Sequence, residues 1–189
     1  MAAPRLLYLH GFCSSPASWK ARLLHERLAA IGQAEAFVCP FLPPVPRRAI
    51  AEAEALLAED VPTTLVGSSL GAYYATWLAE KYALRAVLIN PAVSAPVLLG
   101  GLVGRHVNFH TGEPFEFTRE HAEQLAAFAV PRVSPARYLL LVETGDEVLD
   151  YRLAVEHYAG CRQIVLAGGD HSFTRFPDLL PQIIEFCGL

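Results

Sequence analysis

The sequence predicts a doubly wound α/β domain, in which a mostly parallel sheet is covered by helices on both faces. Short runs rich in leucine, valine and isoleucine alternate along the chain with segments of helical periodicity. These runs are nearly continuous in apolar character, which is typical of parallel strands buried on both sides. A length of 189 residues, 53% of them hydrophobic, suffices for a substantial core. We therefore expect residues 1–189 to form one domain.

Six segments are predicted to be strands because they are short, apolar and bounded by turn-forming residues. They are residues 5–9, 63–67, 86–90, 138–143 and 163–166, with a weaker sixth at 36–39.

Four helices are predicted between and after these strands. In the first, Ser15 is expected to cap a helix that has Pro16 at its first position, continues through Leu24 and Leu28, and stops at Gly32. Apolar stripes at helical spacing predict the others at residues 49–57, 70–81 and 179–187, the last opened by a proline at position 177.

Residues 94–135 interrupt this alternation. They contain a glycine pair, a polar stretch at 105–116 and a helical stretch at 119–128. We interpret the segment either as an excursion over the functional face of the sheet, acting as a lid or cap, or as an ordinary surface crossover.

Charge and composition exclude several classes of function. The formal net charge is −4, and the only adjacent basic pair is Arg47-Arg48, so no nucleic-acid surface is expected. No apolar run reaches the roughly 20 residues that a membrane span needs. Residues 1–9 are too short for a signal peptide, so we expect a cytoplasmic protein. The sequence leaves the oligomeric state open.

No cofactor or metal is expected. The four cysteines lie far apart in the sequence without a C-x-x-C motif, so they are interpreted as small buried hydrophobic residues. His106 and His110 are four residues apart, but they have no H-E-x-x-H context. Neither G-x-G-x-x-G nor a phosphate-binding loop is present.

The strongest chemical signal is a serine in a glycine-rich turn. Residues 67–71 read Gly-Ser-Ser-Leu-Gly and match G-x-S-x-G between a predicted strand and a predicted helix. In that setting the turn is so sharp that small residues are needed on either side of its apex. Ser69 lies at the apex and is the predicted nucleophile, with Ser68 as the competing hydroxyl.

A serine hydroxyl needs a base, and His171 is the best placed of the seven histidines. It lies in a loop between the last predicted strand and the last helix, from which it can reach the serine turn. The acid that orients the base is predicted to be Asp146, just past a strong strand. Asp150 is the main alternative. The resulting chain order of serine, aspartate and histidine is that of the α/β-hydrolase fold.

The oxyanion formed by serine attack requires two hydrogen-bond donors. The backbone N–H of Leu70, at the start of a helix, is the first candidate. The N–H of Phe12, in the loop after the first strand, is the second.

Several motifs together resemble the small YqiA-like bacterial esterases of the α/β-hydrolase superfamily. They are Tyr-Leu-His-Gly-Phe at 8–12, Ser-Ser-Pro at 14–16, the 67–71 motif followed by Tyr-Tyr-Ala, Asn-Pro-Ala at 90–92, Thr-Gly-Asp-Glu-Val-Leu-Asp-Tyr at 144–151, and Gly-Asp-His-Ser-Phe at 169–173. The resemblance matches the family's nucleophile to Ser69, its base to His171 and its acid to Asp146. It implies hydrolysis of short aryl esters and of acyl thioesters. Ala72 departs from the family pattern, which usually has a second glycine there.

The sequence thus predicts a serine esterase that acts on a small-molecule ester or thioester through a covalent acyl-enzyme. Two alternatives remain. The same triad could serve a lyase or a C–C hydrolase, and the fold could carry a non-catalytic binding protein.

Overall fold

The computed structural model describes residues 3–57 and 60–189, and a six-stranded parallel sheet lies at its centre. The described strands are β1 (Arg5–Leu9), β2 (Phe37–Val38), β3 (Thr63–Ser68), β4 (Arg85–Ile89), β5 (Gly104–Val107), β6 (Pro114–Phe117), β7 (Tyr138–Glu143) and β8 (Arg162–Leu166). The central sheet has the order β2-β1-β3-β4-β7-β8, and every neighbouring pair is parallel. β5 and β6 form a separate antiparallel pair.

Helices cover both faces of this sheet, so the predicted fold class is confirmed. They are α1 (Trp19–Ala30), α2 (Pro46–Glu54), α3 (Leu70–Lys81), α4 (Ala95–Gly100), α5 (Arg119–Ala126), α6 (Tyr151–His157) and α7 (Phe176–Cys187). None of the helices within the described ranges is long and apolar enough to cross a membrane.

The alternation of side chains along each strand divides the core into two layers. Leu6, Tyr8 and Val66 point to the layer filled by α1 and α7. Leu7 and Leu65 point to the layer filled by α2, α3 and the segment that follows β4. Both layers are needed because every residue of β3 and β7 is buried.

One predicted helix start is wrong, and a second helix begins before its apolar stripe. α1 begins at Trp19 rather than at Pro16, because the Ser15 hydroxyl accepts the N–H of Ala17 in a separate turn and Ser18 becomes the N-cap. α2 begins at Pro46, three residues before its apolar stripe, because proline suits the first position of a helix.

The 94–135 segment contains α4, the β5–β6 hairpin and α5, of which only α5 was predicted. The hairpin is tied to the loop after β1. The Asn108 side-chain amide donates to the Ser14 carbonyl, and the Phe109 N–H donates to the Cys13 carbonyl, each at 2.8 Å. The Phe12 ring packs edge-on against Phe117, with a centroid separation of 5.2 Å. The segment therefore lies against the loop predicted to supply an oxyanion donor.

Candidate active site

The turn between β3 and α3 places Ser69 in a strained backbone conformation. Its φ of 55° and ψ of −119° are unusual for a residue with a side chain and cost on the order of 1–3 kcal/mol. The surrounding backbone fixes this geometry, since the Ser69 N–H donates to the Ile89 carbonyl at 3.0 Å and the Ser69 carbonyl accepts the Ala92 N–H at 3.2 Å. Ser69 is therefore held at the apex of a sharp turn, at the end of β3.

Glycine is required on both sides of this apex because backbone segments approach closely. A Cβ on Gly67 would lie 2.5 Å from the Cα of Ala72, and one on Gly71 would lie 2.0 Å from the Leu9 carbonyl oxygen. These contacts explain the spacing of the G-x-S-x-G motif. Ala72 itself is fully buried in the same tight packing.

The structure brings the three predicted triad side chains together in one hydrogen-bonded chain. The Nε2 of His171 lies 3.2 Å from the Ser69 Oγ, and its Nδ1 lies 2.8 Å from the Asp146 Oδ2. The Asp146 side chain is 2% exposed and that of His171 is 23% exposed. A buried carboxylate thus faces one ring nitrogen, while the other faces the serine.

Asp146 is oriented by its own turn. Its Oδ1 accepts the backbone N–H groups of Val148 and Leu149 at 2.9 and 2.8 Å, which leaves Oδ2 free to face His171. The alternative acid, Asp150, lies elsewhere. It caps α6 by accepting the Arg152 N–H and forms an ion pair with the Arg152 side chain.

The loop that carries His171 is held by side chains rather than by regular secondary structure. The side-chain nitrogen of Asn90 donates to the backbone carbonyls of Asp170 and His171 at 3.1 and 3.3 Å. Its side-chain oxygen accepts the backbone N–H of Glu143. The Glu147 carboxylate accepts the His171 N–H at 2.9 Å. Lys20 donates to the Ser172 carbonyl at 2.8 Å. The backbone on either side of His171 is therefore fixed from three separate parts of the chain.

Sequence reasoning missed these supporting residues. Asn90 has a positive φ of 40° directly after β4, a conformation that asparagine tolerates better than most residues. Its place at the end of a central strand was the available signal, since polar residues there face the functional edge of a parallel sheet. Nothing in the sequence indicated Lys20, which lies within an amphipathic helix.

The two predicted oxyanion donors lie beside Ser69. Leu70 opens α3, and Phe12 follows Gly11, where an added Cβ would lie 3.3 Å from the Ser69 Cβ. Within the described part of the chain, neither the Phe12 N–H nor the Leu70 N–H donates a hydrogen bond. Both groups are thus available to an incoming oxygen.

His10 braces the Phe12 loop from behind. Its Nε2 accepts the Leu42 N–H at 2.9 Å, which makes Nδ1 the protonated nitrogen that donates to the Gly11 carbonyl at 3.0 Å. Burial lowers the pKa of His10 to about 4. The neutral ring therefore has a structural role.

A cavity of about 450 Å³ opens next to Ser69 and His171. One wall is apolar and comes from α4 and the hairpin segment, through Leu98, Leu102 and Phe109. Tyr8, Ser18 and Lys20 contribute polar groups to another part of the lining, which we call the polar end. The site can therefore take up a molecule with an apolar part next to the serine.

The remaining sequence candidates do not form a metal centre among residues 3–57 and 60–189, where no group of three or more histidine, cysteine or acidic side chains converges. The His106 Nε2 faces the Leu102 carbonyl at 2.6 Å, and His110 lines the cavity separately. All four cysteines are free thiols.

A parallel six-stranded sheet with a serine on a sharp turn after its third strand defines the α/β-hydrolase class of fold. Within that class, the model of the family described as "Uncharacterised protein family (UPF0227)" matches residues 5–188. The chain therefore belongs to this family, the YqiA family, and the resemblance stated from the sequence is confirmed.

Solved structures of the same fold cover nearly the whole chain. An inferred hydrolase from Agrobacterium vitis S4 is 23% identical with a TM-score of 0.77, over 97% of this chain and 87% of that one. Mouse α/β-hydrolase domain-containing protein 10 is 16% identical with a TM-score of 0.74, over 97% of this chain and 88% of that one. A structure from work on the metagenome-derived lipolytic enzymes LipS and LipT is 18% identical with a TM-score of 0.72, over 99% of this chain and 95% of that one. At these identities the similarity supports the fold.

Proposed function

We propose that this protein is a serine esterase that hydrolyses carboxylic esters, and acyl thioesters by the same steps. The observation that carries the proposal is the hydrogen-bonded chain from Ser69 through His171 to Asp146 at the edge of the cavity. The similarity to hydrolases and to lipolytic enzymes agrees with it.

The tautomer of His171 follows from its neighbours. Asp146 can only accept, so Nδ1 carries the proton and Nε2 presents its lone pair to the Ser69 hydroxyl. As Ser69 Oγ attacks the acyl carbon, its proton passes to Nε2. The imidazolium that forms is stabilised by the Asp146 carboxylate.

The oxyanion of the tetrahedral intermediate would accept the N–H groups of Leu70 and Phe12. The Leu70 donor also lies at the positive end of the α3 dipole. Collapse of the intermediate expels the alcohol or thiol, which takes the proton from His171. Water, deprotonated by the same nitrogen, then attacks the acyl-enzyme, releases the acid and returns the proton to Ser69.

The 94–135 segment would act as a cap on the single domain formed by residues 1–189. It supplies Leu98, Leu102 and Phe109 to the cavity, and these side chains would contact the apolar part of the substrate. A segment placed over the site would also limit the access of bulk water to it.

Active-site labelling tests the proposal directly. A fluorophosphonate probe should label the wild-type protein and Ser68→Ala but not Ser69→Ala, and only the labelled variants should hydrolyse 4-nitrophenyl butanoate. Thermal unfolding of all three proteins verifies that each is folded. Equal labelling of wild type and Ser69→Ala would remove Ser69 from the mechanism. Absence of labelling in folded wild type would favour a binding protein instead.

A further inference from the structure

The amino end of α1 contains a buried ammonium group that the proposed mechanism does not use. Lys20 is only 9% exposed and lies at the polar end of the cavity that contains Ser69. Among the described residues its one hydrogen bond goes to the Ser172 carbonyl, and no carboxylate lies within 4.0 Å of its Nζ. An ammonium has three N–H donors, so two of them have no hydrogen-bond partner among the described residues. The Trp19 ring lies beside the ammonium, with its centroid 5.4 Å from the Nζ.

A second polar group in the cavity lining makes no close hydrogen bond. Ser18 is the N-cap of α1, but its hydroxyl does not cap the helix, and its Oγ is buried without a hydrogen bond within 3.5 Å among the described residues. The Tyr8 hydroxyl lies near it, since the Ser18 hydroxyl acts to lower the Tyr8 pKa against the effect of burial. Leaving a buried hydroxyl unsatisfied costs on the order of 1–3 kcal/mol. Ser18 and Lys20 both line the cavity, so one ligand could satisfy both.

The neighbouring charges leave Lys20 incompletely compensated. Burial lowers the pKa of Lys20 to about 8, although Asp170, Asp146 and Glu143 act in the opposite direction. Asp146 already faces His171, and Glu143 is paired with Arg175. Asp170 has one buried oxygen without a hydrogen bond among the described residues, but it does not lie within 4.0 Å of the Lys20 Nζ and forms no ion pair with it. The free N–H groups at the start of α1 and the helix dipole add positive potential beside the ammonium.

We propose that the polar end of this cavity, formed by Lys20 and Ser18, is a subsite for a carboxylate carried by the ester substrate. This inference rests on the proposed esterase function and names its substrate class. The reacting carbonyl would lie at Ser69, the apolar part of the molecule against the α4 wall, and the carboxylate at Lys20. Charge-assisted hydrogen bonds in a desolvated pocket are the strong ones, which would select such a substrate over its neutral analogue.

Matched substrates test the subsite. The 4-nitrophenyl half-esters of four- to eight-carbon dicarboxylic acids are compared with the neutral 4-nitrophenyl esters of the same chain length, and hydrolysis by Ser69→Ala is subtracted as background. For at least one chain length we expect wild type to prefer the half-ester. Lys20→Met should reduce kcat/KM for that half-ester tenfold to a hundredfold more than for its neutral partner, and Lys20→Arg should restore part of the preference.

Two control variants separate this role from others. Lys81→Met removes an exposed lysine that pairs with Glu54 on α2, so it should leave the preference unchanged. Ser18→Ala removes the second donor without disturbing Lys20, and it should weaken the same preference by a smaller factor. If Lys20→Met fails to fold, Ser18→Ala still tests the subsite.

Two results would overturn the subsite. One is a wild type without preference at any chain length. The other is an equal loss on charged and neutral esters in Lys20→Met, since Lys20 would then only support the His171 loop through Ser172. Failure of the esterase function is distinguishable, because wild type would then hydrolyse neither ester. In that case the subsite is still tested by calorimetry, which measures the affinity of monomethyl hexanedioate for Ser69→Ala and for the double variant Ser69→Ala/Lys20→Met. Equal affinities of the two proteins would reject the subsite.

Discussion

Glu143 and Arg175 form an ion pair behind the loop that carries His171, with the Glu143 Oε1 2.7 Å from the Arg175 Nε. The Glu143 side chain is fully buried, whereas that of Arg175 is 36% exposed. The second Glu143 oxygen accepts the Asp170 N–H at 2.8 Å, and Arg175 also donates to the Ala167 carbonyl. The pair thus joins the end of β7 to both sides of the glycine turn that precedes His171.

The unequal burial of this pair predicts unequal costs of removing its members. Arg175→Met leaves a buried carboxylate without a counter-ion and should lower the free energy of unfolding by about 3 kcal/mol. Glu143→Gln leaves an arginine that can reach water, so the cost should be about 1–2 kcal/mol. Urea denaturation measures both.

The double variant provides the control for this pair. Because the two side chains interact directly, the combined change should be smaller than the sum of the single changes. Strict additivity, or a larger loss in Glu143→Gln than in Arg175→Met, would contradict the assigned role of the pair.

The acid of the triad can be tested by comparing two aspartates on one short segment. Asp146→Asn should lower kcat by about 10⁴-fold, because an amide no longer holds the Nδ1–H tautomer of His171. Asp150→Asn should keep its activity, since the Asp150 side chain caps α6 and hydrogen-bonds with Arg152 rather than with His171. Steady-state hydrolysis of 4-nitrophenyl butanoate gives both values, and the reverse pattern would assign the acid to Asp150.

Alanine substitution should have opposite effects on stability at two glycines, one in the serine turn and one in α4. Gly71→Ala places a methyl group 2.0 Å from the Leu9 carbonyl oxygen, so strand and helix must separate at a cost of about 3 kcal/mol. Gly100→Ala, in α4, meets nothing within 4 Å and should stabilise the protein by about 0.5 kcal/mol through helix propensity. Thermal unfolding distinguishes them, and a tolerated Gly71→Ala would refute the close approach.

The sequence predicted the sheet and the three residues that meet at its edge for one physical reason. A buried parallel strand needs a continuous apolar run, as at 138–143. A polar residue just past the end of such a strand lies at the edge of the sheet where the carboxyl ends of the strands meet. The glycines flanking Ser69 carry a further signal, because only glycine fits there. Fold and candidate triad were therefore readable without coordinates.

The supporting contacts were not readable in this way. Lys20 and Asn90 act through backbone carbonyls of the distant loop that carries His171, and a carbonyl has no residue type that a sequence can signal. The position of Asn90 after a central strand indicated that it faces the functional edge, but not which carbonyls it binds. The β5–β6 hairpin was missed because half of its residues are exposed and because it mixes charged, aromatic and proline side chains, without the regular apolar and polar alternation that marks a strand. These features depend on tertiary packing, which overrides local preference.

The cap segment predicts a specific change in substrate binding. Phe109 lines the cavity and is 80% exposed, so Phe109→Ala should raise KM for 4-nitrophenyl butanoate several-fold with little change in kcat or stability. Val97, on α4, is 82% exposed but lies outside the cavity lining, and Val97→Ala is the matched control. Equal effects of the two substitutions would mean that the segment does not contact substrate.

His10 predicts a loss of stability in acid. Its pKa is lowered by burial to about 4, below its usual 6.5, so the unfolded chain binds a proton at pH values where the folded protein does not. The free energy of unfolding should therefore fall as the pH drops from about 6.5 to 4, by about 3 kcal/mol from this group. Protonated Nε2 would also face the Leu42 N–H donor and lose that hydrogen bond.

Comparison with His10→Gln isolates this contribution, because the amide can accept the Leu42 N–H but does not titrate. The stability advantage of wild type over His10→Gln, measured by urea denaturation between pH 7 and pH 4, should shrink steadily as the pH falls. Since His10 holds the loop that presents the Phe12 N–H, the wild-type enzyme should lose ester hydrolysis over the same interval as its fold weakens. A constant difference in stability between the two proteins across this range would mean that His10 is not held neutral by the fold.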